Sequence, residues 1–183
     1  MGKPIQVLIV EDRAPDAELL VRELRRAGYE PQWKRVETEP EFLAELERSP
    51  DIILSDYSLP QFNGLAAAKL LQNRGLNIPF ILISGTVGED VAVEAMKHGA
   101  SDYLLKDRTA RLGVAVDQAL EKKRLVQERQ KAEEEIKAQL RELQRWHEVM
   151  LGREGRNLEL KREVNELLAQ LKQPPRYFDV TTP

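Results

Sequence analysis

Residues 6–12 read QVLIVED: four consecutive apolar residues, Val7 to Val10, closed by the acidic pair Glu11 and Asp12. An unbroken aliphatic run of this length, with no in–out alternation, describes a strand buried on both faces, and such strands belong to parallel sheets covered by helices. Working outward, IIL at 52–54 and FILI at 80–83 repeat the pattern, QWKRV at 32–36 gives a polar strand suited to a sheet edge, and YLL at 103–105 gives a fifth. Amphipathic stretches at 14–27, 39–48, 64–73 and 89–98 fall between them as helices. Thr38, Pro40 and Glu41 stand in the order of a helix start, and Gly28, Gly75 and Gly99 stand where helices end. The alternation βαβα predicts an α/β sheet with helices on both faces.

Composition narrows the class. Of 183 residues, 42% are hydrophobic, 32% charged and only 5% aromatic, which favours helix and disfavours an all-β fold. Cysteine is absent, which excludes disulfides, thiolate metal sites and a cysteine nucleophile, and two histidines cannot build a polyhistidine centre. No apolar run approaches the ~20 residues that span a bilayer, and the N-terminus turns acidic too soon for a signal peptide, so a cytoplasmic protein without membrane contact is expected. The net charge of −3 divides into −5 over residues 1–110 (13 Lys/Arg, 18 Asp/Glu) and +2 over 111–183 (15 against 13). Neither part is basic enough to predict nucleic-acid binding.

From about Leu112 strand signals stop and a charge-rich helical pattern runs to Pro174 and Pro175. Ile136, Leu143, Met150, Asn157, Val164 and Leu171 recur every seven residues, with Leu140, Leu160 and Leu167 as companions. That spacing predicts a coiled-coil seam; a single amphipathic helix folded back on its own domain is the other reading. The Gly152–Gly155 segment either continues the helix or breaks it, and glycine's helix-interior cost of ~1 kcal/mol does not decide between them. Asn157 is a candidate for fixing register.

In an open parallel sheet, ligands bind at the carboxyl ends of the strands. Those ends carry Glu11 and Asp12 after the first, Asp56 after the third, Ser84 after the fourth and Lys106 after the fifth. Carboxylates gathered together demand a cation, and Mg²⁺, which takes oxygen ligands and keeps waters, suits such a group.

These residues, in IVEDR, ILSDYSLP, the Asn-Gly at Gly64, ISGT and GASDYLLK, resemble the receiver domains of bacterial two-component response regulators over roughly residues 4–122. The resemblance implies a flavodoxin-like, doubly wound sheet in strand order 2-1-3-4-5. It implies that Asp56 accepts a phosphoryl group from a sensor histidine kinase or phosphotransfer protein, with Mg²⁺ held by Asp12, Asp56 and the backbone carbonyl of Ser58, and Glu11 acting through a water. Lys106 and Ser84 would contact the phosphoryl oxygens, while Ser84 and Tyr103 would form the switch; no organic cofactor is implied. Asp51 precedes its strand and reads as a strand-entry residue, His98 as a helix-end residue, and His147 as a seam residue. One position departs from the family pattern: Asp107 follows Lys106 where proline is common, which places Asp107 to pair with Lys106 or Arg108 and alters the loop.

The expected organisation is a receiver over 1–122, a helical coiled-coil extension over 123–173 and a tail over 174–183. No DNA-binding domain is visible, so output through a homodimer or partner docking on the helix is expected, with no enzymatic activity beyond self-phosphorylation. The competing expectation is a phosphorylation-independent helical scaffold with a receiver fold.

Overall fold

The computed structural model describes residues 2–60, 62–85 and 88–177. Five parallel strands form one sheet in the order β2-β1-β3-β4-β5. They are β1 (Lys3–Val10), β2 (Tyr29–Val36), β3 (Ile52–Asp56), β4 (Phe80–Ser84) and β5 (Asp102–Leu105). Helices α1 (Ala14–Arg26), α2 (Glu39–Leu46), α3 (Gly64–Asn73) and α4 (Glu89–Lys97) alternate with them, and α5 (Leu112–Gln170) follows. This is the doubly wound, flavodoxin-like order, with the polar strand at the edge.

Pleating sends neighbouring residues to opposite faces, so the aliphatic strands feed two cores. Ile5, Val7, Ile9, Ile52, Leu54, Ile81 and Ile83 pack with Leu20 and Leu24 of α1 and with Leu112 and Val116 of α5. Leu8, Val10, Ile53, Phe80 and Leu82 face the other way, onto Phe42 of α2, Leu65 and Leu71 of α3 and Ala95 of α4. Phe42 and Phe62 add a tilted ring pair 5.3 Å apart.

β1 and β2 start earlier than the sequence suggests, their ladder running from Lys3↔Tyr29 to Val10↔Val36. Pro4 and Pro31 look like breakers, but β2 is an edge strand and the pairing of β1 with β3 begins only at Val7, so neither proline faces a full set of neighbours. β3 and β4 run on through Asp56 and Ser84, which are therefore the last residues of strands. Helix α3 starts at the Asn-Gly: the Asn63 side chain accepts a hydrogen bond from the Ala66 amide at 2.8 Å. Gly28, Gly75 and Gly99 all take positive φ after their helices. Thr38 occupies the cap position of α2 without a side-chain cap bond; the amide of Glu37 instead donates to Glu41 at 3.0 Å.

Where the family pattern has proline, Asp107 lies in a 3-10 segment, Lys106–Arg111, whose backbone leaves helical values at Arg108. Among the described residues Asp107 makes no ion pair, and Lys106 is engaged with Glu11, Asp16 and Asp56 instead.

The chain divides into two compact units after Glu128, within α5. In the first, the Tyr29 hydroxyl donates to Asp117 of α5 at 2.6 Å. In the second, α5 continues unbroken through Gly152 and Gly155, with open space around both. It ends at Gln170; in the turn that follows, Lys172 has positive φ and the Gln173 amide returns to the Leu168 carbonyl at 2.9 Å. The Asn165 side chain accepts from the amides of Arg176 and Tyr177, and Lys161 lies over the Tyr177 ring. Of the tail expected at 174–183, residues 178–183 lie outside the described residues.

Candidate phosphoacceptor site

The carboxyl ends of β1, β3, β4 and β5 bring the sequence candidates together. Val10 pairs with Ser55, Asp56 with Ile83 and Ser84 with Leu105, so the residues that end or follow these strands share one edge of the sheet. Asp56 is only 7% exposed, Glu11 and Ser84 are buried, and Asp12 is open to solvent. Carboxylate oxygens of Glu11, Asp12 and Asp56 lie within 4.8 Å of one another.

Lys106, immediately after β5, is the counter-charge. Its Nζ donates to Asp16 Oδ2 at 2.8 Å, Asp56 Oδ2 at 2.9 Å and Glu11 Oε2 at 3.0 Å. Burial works against the lysine's charge, but the hydrogen bonds to Asp16, Asp56 and Glu11 outweigh it and hold its pKa well above the ordinary range. Burial raises Glu11 to about 7, opposed by Lys106 and by the Arg13 amide, which donates to Glu11 Oε1 at 3.2 Å. Asp16 is held below the usual carboxylate range by its hydrogen bond to Lys106.

Asp56 is fixed from both sides: Lys106 holds Oδ2, and the Ser58 amide donates to Oδ1 at 3.3 Å. The Tyr57 amide donates to the Ile83 carbonyl at 2.8 Å, which ties the turn after β3 to β4. Tyr103 is half-buried against the α2–α3–α4 core. Asp51 lies at the opposite end of β3, where its carboxylate accepts from the Gln6 amide at 2.8 Å, as befits a strand-entry residue. His98 closes α4, with Nε2 4.0 Å from Glu94, and His147 is exposed on α5.

Two residues of the site were not foreseen. Asp16 lies in the first turn of α1, where an acid is ordinary, so nothing in the sequence marked it. Arg35, near the end of the edge strand, donates from Nη1 to the backbone carbonyls of both Glu11 and Asp12 at 3.0 Å and also pairs with Glu37. It anchors the backbone that carries the acidic pair, a contact between strands that no linear spacing encodes.

The donor set can bind a hard divalent cation and can neutralise a transferring anionic group. Comparison with known proteins agrees with that chemistry. The sequence profile of the response regulator receiver domain matches residues 7–117. The phosphate regulon transcriptional regulatory protein PhoB of Pseudomonas aeruginosa is 35% identical over 117 residues, covering 63% of this chain and 50% of that protein. The chemotaxis protein CheY of Thermotoga maritima is 32% identical over 106 residues, covering 58% of this chain and 87% of that protein. This chain thus spans about half the length of PhoB and most of CheY. Among solved structures, NtrX from Brucella abortus superposes with a TM-score of 0.61 at 26% identity, over 72% of this chain and 30% of that one. A response regulator receiver domain protein from Clostridium thermocellum, at 23% identity and TM-score 0.58 over 67% of this chain and 98% of that one, shares the fold. With the profile covering more than half of its length, the chain belongs to the response regulator receiver domain family of two-component signalling.

Proposed function

We propose that this receiver accepts a phosphoryl group on Asp56 from a sensor histidine kinase or phosphotransfer protein, and that α5 carries the output. The observation that carries this reading is the placement of Asp56: a nearly buried carboxylate at a strand end, 2.9 Å from a lysine and among two further acids. The chemistry of the donor set fits Mg²⁺, since Glu11, Asp12 and Asp56 offer oxygen only, one of them from a solvent-open side chain. Asp12, Asp56 and the Ser58 carbonyl would hold the ion, with Glu11 acting through a water. When bound, the cation neutralises charge on the phosphoryl oxygens.

The chain's own residues do the rest. Asp56 supplies the attacking oxygen, and Lys106 stabilises the anionic charge that develops on the transferring group. The Ser84 hydroxyl, at the end of the neighbouring strand, donates to a phosphoryl oxygen, and Tyr103 on β5 responds as the second half of the switch. The reaction modifies the protein itself; no separate substrate is turned over. Borohydride reduction of the phosphorylated chain followed by peptide mapping tests the assignment: label at Asp56 supports it, and label elsewhere overturns it.

The output reading rests on the second unit. Ile136, Leu143 and Met150 are 56%, 66% and 57% exposed, and Leu167 and Leu171 are also exposed, with Val164 half-buried, so most of a heptad-spaced apolar stripe lacks cover among the described residues. A second copy of the same helix supplies it most simply, as a two-stranded coiled coil. Light scattering should give a dimer, and replacing Ile136, Leu143 and Val164 together with Glu should give a monomer, each site losing ~1.5 to 3 kcal/mol of burial. A wild-type monomer both before and after phosphorylation would overturn this part.

A further inference from the structure

The ammonium of Lys106 has three N–H donors, and all three end on carboxylates, those of Asp16, Asp56 and Glu11. A phosphoryl group on Asp56 adds acceptor oxygens beyond the carboxylate, so Nζ must move outward to follow it. Keeping Asp56 and Glu11 while reaching the new group means releasing the third partner. The three are not equivalent. The Glu11 side chain is 2% exposed, so solvent cannot replace the lysine as its hydrogen-bond donor. The Asp16 side chain is 23% exposed, on a separate element, and Arg13 Nη1 lies 3.4 Å from its Oδ2, so water and a second cation can replace the lysine. Asp16 is the partner that can be given up.

We propose that Asp16 is a positioning residue for phosphoryl transfer, which competes with the incoming phosphoryl group for Lys106 and thereby slows phosphorylation of Asp56. The inference rests on the reading of Asp56 as phosphoacceptor. With acetyl phosphate as donor, an Asp56 carboxylate oxygen forms the new O–P bond as the bond from phosphorus to the acetyl oxygen breaks; acetate leaves with that electron pair, and no proton moves. In the resting site Lys106 is held by three carboxyl groups. Removing the charge of Asp16 leaves two, which still aim the ammonium at Asp56 but free one donor for the transferring group.

The test is the initial rate of phosphoryl gain, followed by intact mass, of the full chain with subsaturating acetyl phosphate and Mg²⁺. Asp16→Asn keeps the size and removes the charge; the rate should rise at least about threefold. Asp16→Glu, which restores the carboxylate, should bring it back toward wild type. In a Lys106→Gln background, followed over longer incubation, Asp16→Asn should give no acceleration, because the competition has lost its object. A folded Asp16→Asn protein that is no faster than wild type overturns the inference. So does an acceleration that persists without Lys106, which would mean simple repulsion of the anionic donor. A wild-type chain that takes up no phosphoryl group at all would instead remove the reading of Asp56, and this inference with it.

Discussion

Replacing Gly64 with alanine should destabilise the receiver although alanine is the better helix former, because the space beside Gly64 is already occupied. A Cβ there would meet Leu82 Cδ1 at 2.3 Å, the Asp56 carbonyl oxygen at 2.6 Å and Ser55 Oγ at 3.0 Å. The leucine methyl can rotate away, but the carbonyl belongs to the last residue of β3 and cannot move without shifting Asp56. Overpacking of this kind costs ~1–3 kcal/mol, against a propensity gain of no more than ~1 kcal/mol for Gly→Ala in a helix. With the full propensity gain subtracted, the net expectation is a loss of up to about 2 kcal/mol, which at a typical urea m value of about 2 kcal/mol/M lowers the midpoint by up to about 1 M. The assay is urea unfolding followed by Trp33 fluorescence in a Trp146→Phe background, since Trp146 is well exposed on α5 and the only other tryptophan. The phosphorylation rate should fall with the stability, because the strain is delivered to Asp56. A midpoint equal to or above that of the parent would refute the claim that close approach to the Asp56 carbonyl is what requires glycine here.

At Gly152 the opposite result is expected: φ is helical and a Cβ would meet nothing within 4 Å, so Gly152→Ala should strengthen α5 by up to ~1 kcal/mol and raise its helical signal near the melting temperature in circular dichroism. Tyr29→Phe should cost about 0.5–1.5 kcal/mol in urea unfolding, since it removes the 2.6 Å hydrogen bond to Asp117, and an unchanged midpoint would show that water replaces it without loss. Glu11 gives a pH dependence. Its pKa is raised from 4.5 to about 7 by burial, so the folded chain binds more protons than the unfolded one between those values, and this contribution is fully present below about pH 4.5 and lost as pH rises through 7. Glu11→Gln should therefore raise the melting temperature relative to wild type more at pH 8 than at pH 5 in metal-free buffer; a larger gain at pH 5 would reverse the assignment.

Much of the fold was legible because each central strand carries an unbroken aliphatic run, with its buried polar residues, Ser55, Asp56 and Ser84, gathered at the carboxyl end. The short aliphatic runs at 52–54 and 80–83, set between amphipathic stretches, fit central strands, and Gly28, Gly75 and Gly99 mark helix ends with the backbone conformation they were expected to take. The strand ends were harder: Pro4 and Pro31 look like punctuation until the edge position of β2 and the late start of the β1–β3 ladder are known. Glu11, Asp12, Asp56, Ser84 and Lys106 could be named because each follows or ends an apolar run. Asp16 could not, since its first-turn position has an ordinary explanation, and its role depends on Lys106 arriving from a residue 90 positions away. Arg35 was hidden for the same reason: its partners are backbone carbonyls of Glu11 and Asp12, just past the end of the neighbouring strand β1. The continuity of α5 through Gly152 and Gly155 was open because two glycines weaken a helix without forbidding it.

The central claim, that Asp56 takes up a phosphoryl group in this site, is tested most directly by the intact mass of the chain after incubation with acetyl phosphate, with and without Mg²⁺, beside Asp56→Ala. The account predicts one phosphoryl adduct that requires Mg²⁺ and is absent from the variant. A folded wild-type chain without an adduct, or an adduct that survives in Asp56→Ala, would contradict it.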